Sequence, residues 1–260
     1  MNCTTCGAAV QTSATFCHQC GAPVAPGGTA VAVGILEPPI RFTLEASALG
    51  LFGRSLLLGL SGVFLVPLPW TICWYTRWLA GEVRASDRQS FDFHGEAKNV
   101  WAIVTAYVLM IIISSILGVV REDDPDLAWL ILPDILINLA LLFVGWFFLR
   151  WAIDHLERGG KRWRFVGSVW GFLGWNILFY VSILTIIGWA WAAVGLYNWI
   201  ADNVEDAGGK LRFLGAGHQM LWRTIVRVLW CATLLGMPWA IRWFYAWLIG
   251  QVELTPAEQA

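Results

Sequence analysis

The sequence predicts an all-α membrane protein built from four copies of one helical hairpin. Three observations lead there. A short phrase recurs four times, as Phe42-x-Leu44-x-Ala46, Phe91-x-Phe93-x-Gly95, Trp163-x-Phe165-x-Gly167 and Leu211-x-Phe213-x-Gly215. Each phrase opens a long apolar run that ends on a tryptophan, at Trp78, Trp151, Trp199 and Trp247. Such self-similarity means one supersecondary unit used repeatedly. The composition is too apolar for water. The chain is 58% apolar and 13% charged with a mean hydropathy of +0.62, where a soluble domain carries about a quarter charged residues. Finally, 18 tryptophans suit the headgroup level, where an amphipathic ring has one dry and one wet side. A net charge of −1 excludes a strongly basic surface, so no nucleic-acid partner is expected and the lipid bilayer is the first partner.

The chain opens with neither a basic segment nor an apolar core, so no cleavable signal peptide is expected and the N-terminus is placed in the cytoplasm. Four of the six cysteines fall in the first 20 residues, as Cys3-x-x-Cys6-Gly7 and Cys17-x-x-Cys20-Gly21. A tetrahedral zinc needs four soft ligands at ~2.3 Å, and each C-x-x-C turn places two thiolates on one side of an ion. The glycine after each second cysteine permits a tight turn that leaves amides facing the sulfurs. Residues 1–23 are therefore read as a minimal zinc ribbon with a structural Zn on Cys3, Cys6, Cys17 and Cys20. Four thiolates leave no open coordination position for catalysis. His18, inside the second knuckle, is read as a bystander. Residues 24–40 are rich in Pro, Gly and Ala and read as a flexible linker.

The membrane domain is expected over 41–251, in units 41–88, 89–160, 161–208 and 209–251, with a tail at 252–260. Pro67, Gly188 and Gly236 each stand three residues before a tryptophan (Trp70, Trp191, Trp239) that itself stands eight before the closing one. Proline or glycine there ends one helix and starts the next. The second unit has a longer acidic turn, 121–126. Eight membrane helices follow, near 47–66, 68–84, 98–120, 127–156, 168–187, 189–206, 217–235 and 238–251. The second helices of units one, three and four are apolar for only about 14 residues, against the roughly 20 a span needs, which leaves them tilted or re-entrant.

Lys and Arg set the orientation. Arg41, Arg84, Arg88, Lys98, Arg158, Lys161, Arg162, Arg164, Lys210 and Arg212 all lie in the phrase-bearing segments, whereas the hinges carry only Arg121. Phrases and both termini are therefore placed in the cytoplasm, with the hinges opposite. The phrases alternate apolar and polar residues, a period of two that suits short strands; a membrane-hugging aromatic turn fits equally well. Gly159-Gly160 and Gly208-Gly209 read as helix stops before two of them.

Thr233-Leu-Leu-Gly-Met-Pro-Trp-Ala-Ile-Arg242, Gly209-Lys-Leu-Arg-Phe-Leu-Gly215, Pro69-Trp70 and Phe91-Asp-Phe-His-Gly95 together resemble the signature of the YjgN-like family of bacterial inner-membrane proteins. The resemblance covers 41–250, although unit two lacks the Pro-Trp element and unit one has Pro67 where the family has glycine. It implies inner-membrane location and repeat architecture, and it implies no activity.

Ionisable residues inside a bilayer are functional candidates by default. Arg54, Arg223, Arg77 and Arg150 recur at interfacial positions and read as snorkelling, lipid-facing anchors. Arg242 has no counterpart in the repeats, and Asp134 with Asn138 lies on one face of the fourth helix. An Arg242–Asp134 pair, with Asn138 beside it, is the candidate intramembrane polar site, either as a substrate gate or as a structural ion pair. Asn176 reads as interhelical glue. There is no H-E-x-x-H, G-x-S-x-G or phosphate-cradling glycine loop, and His94, His155 and His218 each have an interfacial reading. The expectation is a non-enzymatic scaffold or regulator whose ribbon recruits a cytoplasmic protein partner. The alternative is a transporter or lipid-handling protein.

Overall fold

The computed structural model describes residues 3, 5–10, 16–22, 38–205, 207–233 and 235–256. The chain divides into two compact units, Met1–Pro38 and Pro39–Ala260. The linker expected over 24–40 lies outside the described residues as far as 37, and Ile40 already belongs to the first strand.

The larger unit repeats strand, helix, helix, strand four times. The first copy is β1 (Ile40–Leu44), α1 (Ala48–Phe64), α2 (Leu68–Glu82) and β2 (Val83–Ala85). The second is β3 (Phe91–Phe93), α3 (Ala97–Asp123), a 3₁₀ turn (Pro125–Leu130), α4 (Ile131–Asp154) and β4 (Leu156–Arg158). The third opens with a broken strand, β5 (Lys161–Arg162) and β6 (Arg164–Phe165), then α5 (Val169–Ile183), α6 (Trp189–Asp202) and β7 (Val204–Glu205). The fourth is β8 (Gly209–Phe213), α7 (Gly217–Cys231), α8 (Met237–Gly250) and β9 (Val252–Pro256). Helix starts follow local chemistry. Ser47 and Ser168 accept the amides of Gly50 and Gly171 as N-caps. Pro69 and Pro238 sit in first turns, where a missing amide costs nothing.

All eight helices form near the expected positions, but among the described residues two, not eight, are long and apolar enough to cross a membrane: Ala97–Asp123 and the run Asp126–Asp154. The other six have 14 to 17 residues. At 1.5 Å per residue they reach about 21–26 Å, short of a ~30 Å hydrocarbon core. The hinges that punctuate the repeats come too early for a full span.

The phrases are strands, which resolves the choice left open by their alternation. Each pairs antiparallel with the return strand of its own unit: Phe42 opposite Ala85, Phe91 opposite Arg158, Phe165 opposite Val204, Leu211 opposite Leu254. Three of the four junctions between units are then made at strands. An isolated bridge links Arg84 to Ser90, and β4 pairs with β5 across Gly159-Gly160. Both of those glycines have positive φ (+55° and +78°), as a two-residue hairpin requires, so they turn a β-hairpin where a helix stop was expected. Gly208, at φ +85°, turns β7 toward β8. Finally β9 pairs with β1, Ile40 opposite Leu254 and Arg41 opposite Glu253. The segment expected as a tail is thus the strand that joins the last unit to the first. The units form a closed ring, and the helices follow it: α2 packs on α3, α4 on α5, α6 on α7 and α8 on α1.

The first apolar residue of each phrase points to the centre of this ring. Phe42, Phe91, Trp163 and Leu211 are buried in one cluster with Ala85, Ala207 and Leu254, and Phe91 meets both Phe42 and Trp163 edge-on at 5.4 Å. The alternate positions face water and carry cross-strand ion pairs, Arg41–Glu253, Arg162–Glu157 and Arg164–Glu205. Such exposed pairs are each worth about 0–1 kcal/mol and serve chiefly to favour one register.

The second apolar residue explains the glycine and the closing tryptophan. Phe93 folds back over Gly95 and meets Trp151 edge-on at 5.4 Å; Phe165 does the same over Gly167 against Trp199 at 5.8 Å. A Cβ on Gly95 would lie 2.4 Å from Phe93 Cζ and 2.7 Å from Trp151 Cζ2. Gly95→Ala should therefore destabilise the purified protein by about 1–3 kcal/mol through overpacking. Gly118→Ala, where nothing lies within 4 Å, should leave thermal unfolding in detergent unchanged. Equal melting of the two variants would refute this packing.

Candidate functional site

The two N-terminal knuckles have the same backbone. The Cys3 amide donates to the Ala8 carbonyl and the Gly7 amide to the Cys3 carbonyl, both at 2.8 Å; Cys17, Ala22 and Gly21 repeat the pattern at 2.8 Å. Gly7 and Gly21 have φ of +75° and +71° with open space where a Cβ would go, so torsion alone calls for glycine. The turns bring Cys3 Sγ to 3.7 Å from Cys20 Sγ and Cys6 Sγ to 3.6 Å from Cys17 Sγ, with all four sulfurs within 4.8 Å of one another. A tetrahedron with ~2.3 Å metal–sulfur bonds has edges of about 3.8 Å, so the group fits a four-thiolate metal site. Cys3 and Cys17 are buried with Val10, Cys6 and Cys20 are exposed, and His18 is exposed outside the cluster.

The electrostatics suit a metal. The backbone amides of Cys6 and Thr5 point at the Cys3 sulfur and hold its thiol down to about 6, and the amides of Gln19 and Cys20 lower Cys17 in the same way. Cys20 takes an opposing push. The Ala22 amide lowers it, but the Cys6 sulfur, burial and the Cys17 and Cys3 sulfurs outweigh that and push it up to about 12. Crowded sulfurs cannot all shed their protons without a cation among them.

The second predicted site is not assembled. Arg242 donates from Nε to the Ala46 carbonyl at 2.6 Å, at the end of the first phrase. Asp134 accepts from Ser114 Oγ at 2.5 Å and Asn138 Nδ2 at 3.1 Å and lies 3.7 Å from Arg121. Asp134 and Asn138 are together as expected, but their cation is Arg121, from the same hairpin. Nor is Arg242 without counterparts. Arg77 donates to the Phe93 and Gly95 carbonyls at 3.2 and 3.3 Å, and Trp146 Nε1 to the Gly167 carbonyl at 3.0 Å. In each case the second helix of one unit clasps the phrase end of the next, and Arg242 does so from the last unit to the first. The repeats held one signal: Trp146 and Arg242 both precede their closing tryptophan by five residues.

The remaining anchors also have protein partners. Arg54 stacks on Trp78 at 4.1 Å, and Arg223 on Trp243 and Trp247 at 4.7 and 5.1 Å. Arg150 stacks on Trp146 and pairs with Asp154. Arg77, though exposed, belongs to the clasp above. Asn176 donates to the Phe172 carbonyl of its own helix. The His94 amide donates to the His155 carbonyl, and the His94 ring faces Glu157 at 3.2 Å. His218 lines a shallow pocket with Arg223 and Gln251. Among the described residues Arg158 is the one buried charged side chain; it enters the ring opposite Phe91 and pairs with Asp87.

No protein-family model matches the chain, and no curated protein or solved structure is significantly similar to it. The YjgN-like resemblance therefore stands on the motifs alone.

Metal affinity should fall on acidification. Cys20 keeps its proton through the neutral range and must release it on binding, so affinity rises with pH there by at least one proton's worth. Below about 6 Cys3 is also protonated and the dependence steepens. Competition of the purified full-length protein with a chromophoric chelator for Zn²⁺ across this range checks the slope. A flat profile would contradict the four-thiolate assignment.

Proposed function

We propose that the protein is a non-enzymatic scaffold or regulator of the bacterial inner membrane, whose N-terminal ribbon holds a structural zinc and recruits a cytoplasmic protein partner. Membrane residence is supported by where the apolar surface lies. The most apolar windows of the two long helices have mean hydropathies of 2.6 and 2.3, yet only 6% and 0% of their residues are buried. The core helix of a soluble protein would hide that surface, and only a bilayer offers it a favourable surrounding here. Orientation follows from the strand ring, where Lys and Arg concentrate; the ring and both termini are cytoplasmic and the 121–126 turn is periplasmic. The YjgN-like resemblance supports the same location.

The observation that carries the scaffold reading is the apolar centre of the ring. The first apolar residues of all four phrases cluster at the axis where a carrier would place a polar path, Phe42, Phe91 and Trp163 bordering an apolar cavity of about 290 Å³ there, and Arg242 and Asp134 have partners of their own. A closed four-thiolate zinc then acts by shape, fixing two exposed knuckles as a small recognition surface, because it has no position for a substrate. Its folding is coupled to metal, so the surface exists only in the loaded protein.

One observation favours the lipid-handling reading as the second choice. An apolar cleft of about 350 Å³ runs between α2, α3 and α4, lined by Leu68, Ile72, Val104, Tyr107, Val144 and Phe148 among others. It matches an acyl chain in chemistry.

The discriminating experiment is affinity purification from native membranes of wild type and Cys6→Ser, with proteins and lipids quantified together. The scaffold reading expects a defined protein that is enriched with wild type and lost with Cys6→Ser, at equal levels of the membrane domain. Identical protein sets from both, with stoichiometric phospholipid retained, would overturn it in favour of lipid handling.

A further inference from the structure

The four hinges are chemically unlike. The unit-two turn, 121–126, is charged, as befits a loop in water. The tips of the other three are apolar and bare: Val66 is 73% exposed, Leu184 84%, Ile186 81% and Leu235 86%. No Asp, Glu, Lys or Arg occurs over 55–76, 166–201 or 228–241. Loops that emerge on the far side of a membrane are polar; these three are built like surfaces that never meet water.

A turn that stops inside hydrocarbon must satisfy its own backbone, because lipid offers no hydrogen bonds. Two of these tips do so with the same device. Thr185 Oγ1 donates to the Ser182 carbonyl at 2.7 Å and accepts the Gly188 amide at 2.9 Å. Thr233 Oγ1 donates to the Trp230 carbonyl at 2.7 Å and accepts the Gly236 amide at 3.0 Å. One hydroxyl thus closes both the carbonyl that ends the first helix and the amide that starts the second. Glycine is needed for the approach, since a Cβ on Gly188 would lie 2.3 Å from that hydroxyl. The first tip reaches the same end differently. Pro67 and Pro69 carry no amide to satisfy. The Ser61 and Thr71 hydroxyls lie 2.6 Å apart; one donates to the other, and the accepting one covers its own helix carbonyl, Leu58 or Leu68.

Helix length agrees. The arms of these three hairpins reach about 21–26 Å, whereas α3, with 27 residues, reaches about 40 Å. Because all four hairpins rise from one strand ring, three tips end within the ~30 Å hydrocarbon layer that unit two crosses.

We infer that units one, three and four are re-entrant hairpins inserted from the cytoplasmic side, with tips that rest among acyl chains, and that only unit two exposes residues on the far side. The inference rests on the membrane reading above. It replaces the expectation that all four hinges face the periplasm with two crossings and three dead ends.

The test is site-specific labelling of full-length protein in intact cells and in inside-out vesicles, read by the mass of the tryptic peptide. Asp124→Cys should react with an impermeant maleimide from outside. Ile186→Cys and Leu235→Cys should react with it from neither side, yet react with a bilayer-partitioning pyrene maleimide. Outside labelling of Ile186→Cys would overturn the re-entrant hairpins while leaving the membrane reading intact. Release of the protein by alkaline wash, with all three sites open to the cytoplasmic reagent, would overturn the membrane reading itself. A second variant guards against a cysteine that perturbs folding. Ile186→Asp places a carboxylate in hydrocarbon and should lower the membrane-inserted level several-fold. An unchanged level would place that hinge in water and end the inference.

Discussion

Antiparallel pairing of β1 with β9 joins Ile40 to Leu254 and Arg41 to Glu253, the two ends of the larger unit. The rest of that unit depends on it. A hairpin with arms of 14 to 17 residues buries little surface within itself. What fixes the hairpins is at their base, where each return strand pairs with its own phrase, α2, α4 and α8 clasp the next phrase by hydrogen bonds, and α6 meets it through Tyr197 and Phe213. In an open chain of units the last clasp and one strand edge would be unused. Closing the circle uses both: β9 covers the edge of β1, and Arg242 finds the Ala46 carbonyl. An exposed sheet edge is an aggregation hazard, and the closing strand removes one from the first unit.

The recurring phrase is economical in what it specifies. Its first apolar residue lines the ring axis, its second turns back over the glycine to meet the closing tryptophan, and its polar positions carry the ion pairs of the outer face. Departures from the pattern are instructive. Unit one has Leu44 and Ala46 where others have phenylalanine and glycine, and there Trp78 turns instead to Arg54 and Glu82. In unit four Tyr197, from the preceding unit, takes the tryptophan's place against Phe213 at 5.2 Å. Arg158 breaks the apolar interior, and its pairing with the exposed Asp87 ties β4 to the turn between the first two units. Burying the guanidinium costs desolvation on the arginine's side, so the contribution of the pair is positional more than energetic.

Much of this was legible in the sequence because it rests on periodicity. The hinge prolines and glycines, the apolar runs and the knuckle spacing each report a local backbone requirement, and the helices and the four-cysteine cluster lie where those signals put them. What was not legible depends on contacts between units. Val252–Pro256 has no apolar run and reads as a tail until β1 is beside it. Arg242 looks unpaired while the ring is open. Gly159-Gly160 serves a helix stop or a type I′ hairpin equally well, and only the strand on the far side decides. The Asp134 site failed for a related reason. An acid in a helix suggests a distant cation, but Arg121 and Ser114, on the adjacent arm, reach it first.

Closure of the ring is the central claim, and a disulfide across the β1–β9 seam tests it most directly. Directly opposed residues in an antiparallel pair lie about 4.5–5.5 Å apart, within the span a disulfide bridges. The pair Arg41→Cys with Glu253→Cys, oxidised in membranes, should form an intramolecular bond as readily as Thr43→Cys with Arg84→Cys, the opposed positions of β1 and β2. The first bond turns nearly the whole of the larger unit into one loop and should speed its migration on a denaturing gel. Ready bonding of 43 to 84 with none between 41 and 253 would show the units open at that seam and contradict the ring.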